Sequence, residues 1–230
     1  MKKFTSISRS EAIEIYPHII KNYERLKKTA DFAYTDANYG TALSLYILSS
    51  EELIKAFVIF LHSIGVNVLQ AKELKGVFSQ HKKKHELSQA VELIAFMESF
   101  ILLTDKETYK PNVETGSEWL DKISGFVSGI GKIIEPISKF DKNAEWWDEA
   151  DYYKNRGLYV DYCDDLKTPL QITKEQSSEG KEKAEKLFDR IRKIKIVFEK
   201  LPKQEQKQLI YDTNIGLVNY LLQNNLNSKN

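Results

Sequence analysis

The feature that most constrains this chain is the run ALSLYILSSEELIKAFVIFLHSI at residues 42–64, apolar nearly throughout but interrupted by Glu51, Glu52 and Lys55. A run of that length reads as a helix rather than a strand. In helical register Glu51 and Glu52 stand four and three residues before Lys55, so one ammonium is within reach of both carboxylates. An ion pair on a solvated strip would account for them. The apolar surroundings favour a polar pocket between helices, because unpaired burial would cost several kcal/mol. The charges also argue against a membrane span, since each would cost about 3 kcal/mol at the bilayer centre.

The remaining sequence extends the helical reading. Ten Gly and five Pro are few for 230 residues, and the abundance of Leu, Ile, Lys and Glu favours long helices. An all-α fold in one domain, 1–230, is expected, with its core over about 10–200. Ser8 and Glu11 have capping-box spacing ahead of a first helix from Ser10 to about Asp36, with Pro17 as a kink or the true start. A turn near Asn38 and Gly40 then makes this helix and the apolar one an antiparallel hairpin. A third helix is expected from His81, with Leu87, Val91, Ile94, Met97 and Ile101 on one face, and a weaker one over 118–140. Residues 143–155, acidic and aromatic, lead into an extended segment near 157–172 that is too short for a sheet. Thr173 and Gln176 offer a second capping box. Leu187, Ile191, Ile194, Phe198 and Leu201 then follow at alternating spacings of four and three, the seam of a helical bundle. Pro202 stops that helix, and residues 203 to about 224 form the C-terminal one.

Charge and cysteine usage narrow the class. The net charge of +1 excludes a general electrostatic surface for nucleic acid, leaving local patches. Residues 141–165 hold eight acidic against three basic groups, and residues 181–207 ten basic against five acidic, an asymmetry suited to docking within the chain, across a dimer or onto a partner. Cys163 is the single cysteine, so no intramolecular disulfide forms and a reducing interior fits best. The first ten residues lack the apolar stretch of a secretory signal. A cytoplasmic protein without membrane association is therefore expected. P-loop, G-x-G-x-x-G, G-x-S-x-G and HExxH motifs are all absent, so no nucleotide cofactor and no common hydrolase arrangement has sequence support.

Three clusters carry candidate chemistry. The first is Glu51, Glu52 and Lys55. The second is His81-Lys82-Lys83-Lys84-His85, whose histidines share a helix face and could ligate zinc if Glu52, His62 or Cys163 supplied a third ligand. Read otherwise, the basic groups at a helix start oppose its dipole and call for a compensating anion. The third runs from Lys154 to Asp161: Arg156 offers a planar fork for phosphate or carboxylate, Tyr159 a phenol, and Asp161 an acceptor. An Arg-Asp clamp that merely fixes an extended segment is the structural alternative.

Together these stretches resemble the AbiV family of phage abortive-infection proteins, within the HEPN class of helical domains. The resemblance lies in Ala30-Asp31, Tyr39-Gly40-Thr41-Ala42, Glu51-Glu52-Leu53-Ile54-Lys55-Ala56, His81 with Lys84, and Arg156-Gly157-Leu158-Tyr159-Val160-Asp161 followed by Pro169 and Ile172. It spans about residues 25–180. It implies a HEPN-like helical bundle that halts growth on infection, triggered by a phage-encoded activator and acting on RNA or translation. HEPN domains commonly form homodimers with a metal-independent ribonuclease site built from Arg, a short spacer and His. This chain departs from that pattern, because the nearest histidine to follow any arginine is His18 after Arg9, too far away for the motif. Metal-free RNA cleavage needs a base for the 2′-hydroxyl, an acid for the leaving oxygen and cations around the phosphate. The expected roles are His81 as base or acid, with Lys84, Lys55 and Arg156 on the phosphate. Glu52 and Asp161 would orient His81 or Arg156, and Tyr159 would stack on a base or donate a proton. No metal and no cofactor is required. The alternative is a non-enzymatic effector that binds a phage protein or the translation machinery.

Overall fold

The computed structural model describes residues 3–70, 78–79, 81, 84, 88, 142–163 and 165–227. Its long elements are helical: α1 (Arg9–Thr35), α2 (Tyr39–Ile64), α3 (Lys142–Arg156), α4 (Lys174–Lys200) and α5 (Lys203–Asn227). His81, Lys84 and Ser88 are also helical, and the Ser88 hydroxyl donates to the Lys84 carbonyl at 3.0 Å. The other positions expected on that helix, and the whole of 118–140, lie outside the described residues. The fold is all-α and HEPN-like.

α1 starts where its capping box demands. The Ser8 N–H donates to Glu11 Oε2 at 2.7 Å, and the Glu11 N–H donates back to Ser8 Oγ at 3.3 Å. Pro17 sits inside the helix without ending it. Both Pro17 and Ile13, the residue whose carbonyl loses its partner, are exposed, so water can take that acceptor. The chain reverses at Asp36–Asn38, earlier than the glycine-centred turn the sequence points to. Ala37 adopts φ 56°, and the Asn38 N–H reaches the Ala33 carbonyl at 2.8 Å. Gly40 is instead the second residue of α2.

α2 is the axis of the core. Tyr46, Ile47, Leu53, Ile54, Val58 and Ile59 are fully enclosed on it, between α1 on one side and α3 and α4 on the others. From α3, Trp147 and Ala150 enter the core without residual exposure, and the Trp146 ring meets Trp147 edge-on at 4.8 Å. From α4, Leu187, Ile191 and Phe198 are buried, while Ile194 and Leu201 are partly covered. The seam read at alternating spacings thus packs on α2, stopping at Pro202 as the sequence requires.

Two close approaches fix the ends. A Cβ at Gly157 would lie 2.2 Å from Ser44 Oγ and 2.3 Å from the Gly40 carbonyl oxygen, and one at Gly40 would lie 2.6 Å from the Pro169 carbonyl oxygen. The glycines of the Tyr39-Gly40 and Arg156-Gly157 pairs therefore let the end of α3 and the Pro169 turn rest directly on the α2 backbone. Asp31 fastens the other face. It accepts from Lys27 at 2.9 Å, from Tyr46 Oη at 2.8 Å and from Lys181 at 3.1 Å, joining α1, α2 and α4. Burial works to raise this carboxyl, but the three hydrogen bonds outweigh it and hold it below the ordinary Asp value. Burial first, then the Asp31 bond, pushes the Tyr46 phenol well above its usual range.

The segment after Gly157 differs from a plain extended stretch. β1 (Asp161–Cys163) and β2 (Asp165–Lys167) form a small antiparallel hairpin with Tyr162 opposite Leu166 and Asp161 opposite Lys167. Residues 143–155, left unassigned from sequence, are most of α3: its apolar positions are carried by two adjacent tryptophans, which blurs the helical period.

Opposite backbone substitutions test this account. Gly157→Ala should destabilise the protein by about 2–3 kcal/mol through forced overlap, while Ala37→Gly should stabilise it by up to about 1 kcal/mol by relieving the left-handed turn; urea unfolding reads both. Because the Asp31 carboxyl is lowered by folding, its contribution is present above its ordinary value of 3.8 and is lost as pH falls below that through the folded value. Asp31→Asn should accordingly flatten the fall of the unfolding midpoint below about pH 4.

Candidate active site

Glu51 is the centre of a buried polar cluster. Its side chain is 2 % exposed on the most enclosed part of α2. Oε2 accepts from His81 Nδ1 at 2.5 Å and from Lys84 Nζ at 3.0 Å, and Oε1 accepts from Lys154 Nζ at 3.1 Å. Lys154 also reaches Asp151 Oδ1 at 2.6 Å. One carboxylate on α2 thus binds two ammonium groups and an imidazole from two other segments. Lys84 and Lys154 are nearly as buried as Glu51, at 9 % and 6 %, whereas His81 is 50 % exposed.

The local sequence explains this convergence. His81 and Lys84 lie three apart on one helical face, which aims both at the same carboxylate. Lys154 follows Trp147 and Ala150 on the inward stripe of α3 and so is carried into the core with them. The Ser44 hydroxyl donates to the Lys154 carbonyl at 2.7 Å, fixing the end of α3 against α2 one turn before the Gly157 contact. Each ammonium answers the cost of burying Glu51, and Glu51 answers theirs.

The geometry assigns the imidazole. An ionised carboxylate only accepts, so Nδ1 carries the proton in the Glu51 bond, and in the neutral ring Nε2 is then the acceptor. Nε2 has no hydrogen-bond partner among the described residues, on a half-exposed ring. This arrangement can take a proton from a bound hydroxyl at Nε2 while Glu51 stabilises the resulting imidazolium, the role a carboxylate plays behind a catalytic histidine.

The other expected site residues are placed differently. Glu52 and Lys55 bond each other at 2.5 Å, and Lys55 lies over the Phe4 ring at 5.8 Å; no contact joins either to His81. The trio of α2 is therefore split, with Lys55 serving Glu52 alone of the two in the described contacts. Arg156 lies two residues beyond Lys154, about 200° around the helix, and stacks on Tyr152 at 5.9 Å. Tyr159 is 64 % exposed before the hairpin, and Asp161 accepts from the backbone N–H of Tyr162 at 2.8 Å. Glu51 and Lys154 are the residues the sequence reading left without a chemical role. A lysine in register with buried tryptophans was the available signal. Of the zinc alternatives, His62 bonds the Ile7 carbonyl at 3.1 Å and His85 lies outside the described residues. Among the described residues no three His, Cys, Asp or Glu side chains are grouped to hold a metal ion.

A sequence model of the family described as AbiV matches residues 11–189, well over half of the chain. The chain belongs to the AbiV family. Membership in this HEPN group connects it to abortive infection, a form of phage defence. No curated protein and no solved structure shows significant similarity to it. The AbiV match takes in α1, α2, α3 and the first half of α4, and hence every group that touches Glu51 above. Among the described residues, no helix is long and apolar enough to cross a membrane.

Removing the shared carboxylate tests its structural weight. Glu51→Ala should cost about 3–5 kcal/mol, because Lys84 and Lys154 are left buried without it. Glu51→Ala combined with Lys84→Met and Lys154→Met should recover much of that loss, as measured by urea unfolding.

Proposed function

We propose that this AbiV protein is a cytoplasmic phage-defence effector that cleaves RNA without a metal once a phage-encoded protein activates it, and that it works as a homodimer. The observation that carries this reading is the 2.5 Å contact of His81 Nδ1 with Glu51, on a half-exposed ring whose Nε2 has no hydrogen-bond partner among the described residues. In the reaction, Nε2 takes the proton of a ribose 2′-hydroxyl. The 2′-oxygen then attacks the adjacent phosphorus, the bond to the 5′-oxygen breaks, and that oxygen leaves with a proton supplied by the imidazolium. The products are a 2′,3′-cyclic phosphate and a 5′-hydroxyl. Lys84, beside His81 on Glu51, adds positive potential near the reacting phosphate. Among the described residues no hydrogen bond or ion pair joins Glu52, Lys55, Tyr159 or Asp161 to His81.

A second reading has its own observation. Tyr162 and Leu166 are partners in the hairpin register and so share a face, and they are 76 % and 53 % exposed; Val160 nearby is 67 % exposed. An apolar hairpin face turned to solvent suits binding to another protein. It supports a non-enzymatic effector that arrests growth by binding a phage protein or the translation machinery.

The two readings part cleanly in one assay. Purified protein, with its trigger, should cut RNA in EDTA, and His81→Ala should lower the rate by about 10²–10⁴-fold with an unchanged unfolding midpoint. Intact RNA beside a preparation that still arrests translation would refute the ribonuclease. If growth arrest survives His81→Ala but is lost in Tyr162→Ser with Leu166→Ser, the binding effector is the correct reading.

A further inference from the structure

Tyr152, on α3, gathers two cations onto its ring. The Arg156 guanidinium carbon lies 5.9 Å from the ring centre and Lys167 Nζ lies 6.0 Å from it, the first from the next turn of α3 and the second from β2. Tyr152 is itself 48 % exposed. Cation–ring contacts of this kind hold a charge in place without neutralising it.

Neither cation has an anionic partner among the described residues. The guanidinium carries five N–H donors, yet among the described residues no carbonyl or carboxylate accepts from any of them, and its Nε is closed off from solvent with no acceptor. Arg156 is half-buried, where an N–H normally has a partner. Of the carboxylates on α3 and the hairpin, neither Asp151 nor Asp161 forms an ion pair with Arg156 or Lys167 among the described residues. Asp151 holds Lys154, and Asp161, the register partner of Lys167, accepts from the Tyr162 N–H. Two like charges held on one ring repel each other until an anion joins them. The planar fork of arginine beside the point charge of lysine matches a phosphate oxyanion.

We propose that Arg156 and Lys167 form a phosphate clamp on Tyr152 that takes a backbone phosphate of single-stranded RNA. The oxyanion specificity rests on the unpaired cations; naming RNA as its source rests on the ribonuclease reading above. The clamp is a docking site distinct from the chemistry, since α3 sends Lys154 to Glu51 and Arg156 to a different face. Its loss should raise KM and leave kcat in place.

The test uses the full chain carrying His81→Ala, a labelled single-stranded oligoribonucleotide, and inorganic phosphate as the second probe. Arg156→Gln and Lys167→Gln should each weaken oligonucleotide binding about tenfold and make its salt dependence shallower by about 0.7 in log–log slope, with unfolding midpoints unchanged. Lys167, partly buried on the small hairpin rather than on a core helix, keeps the test valid if Arg156→Gln fails to fold. Oligonucleotide binding unchanged in both variants would overturn the clamp, as would the absence of binding to either probe. Binding of inorganic phosphate that the variants abolish, without any binding of RNA, would overturn RNA as the ligand. With His81 restored, RNA cut at an unchanged KM by both variants removes the clamp and keeps the ribonuclease. RNA bound through the clamp but never cut keeps the clamp and removes the ribonuclease.

Discussion

A carboxylate buried to 2 % exposure in the middle of the most apolar helix is the constraint on which the rest of this structure turns. Left alone, Glu51 would cost several kcal/mol and would push α2 out of the core. It is retained because Lys84 and Lys154 bring their ammonium groups to it from two other helical segments. Apolar packing between helices is broad and tolerant of small slips. An ion cluster with its donors at 2.5–3.1 Å from one carboxylate is not, so it sets how α2, α3 and the His81 segment are rotated against each other.

The backbone contacts around the cluster serve the same end. Ser44 grips the carbonyl of Lys154, and Gly157 rests on Gly40 just beyond, so the end of α3 that carries the lysine reaching Glu51 is anchored on α2. Asp31 ties α1, α2 and α4 at the opposite face through Lys27, Tyr46 and Lys181. Asp31, Gly40, Glu51, Lys84 and Gly157 are thus mostly the means by which helices are locked in register. His81 is the exception. It shares the locked carboxylate but is half-exposed, and a half-exposed imidazole held by a carboxylate is suited to acid–base chemistry.

The helix plan was largely legible. Both capping boxes form as their spacing implies, Pro202 ends α4, and the four-and-three seam packs inward. These are local rules: a cap, a proline or an apolar stripe acts within one or two turns. Reading failed where a residue's meaning depended on a distant partner. Gly40 looks like a turn residue and is instead a point of helix contact, because the reason for the missing side chain sits at Pro169 and Gly157. The turn itself forms at Ala37, whose left-handed conformation no sequence preference announces.

The sequence by itself determined that Glu51, Glu52 and Lys55 would sit in an apolar helix and that His81 and Lys84 would share a helical face, since helical periodicity alone places them. Only the tertiary structure decided which charges meet. It turned Glu51 inward to His81, Lys84 and Lys154, left Glu52 with Lys55, and set Arg156 on Tyr152 beside Lys167. The physical reason is angular. Adjacent residues on a helix differ by about 100°, so Glu51 and Glu52, or Lys154 and Arg156, face different neighbours, and which neighbour is there depends on how whole helices pack.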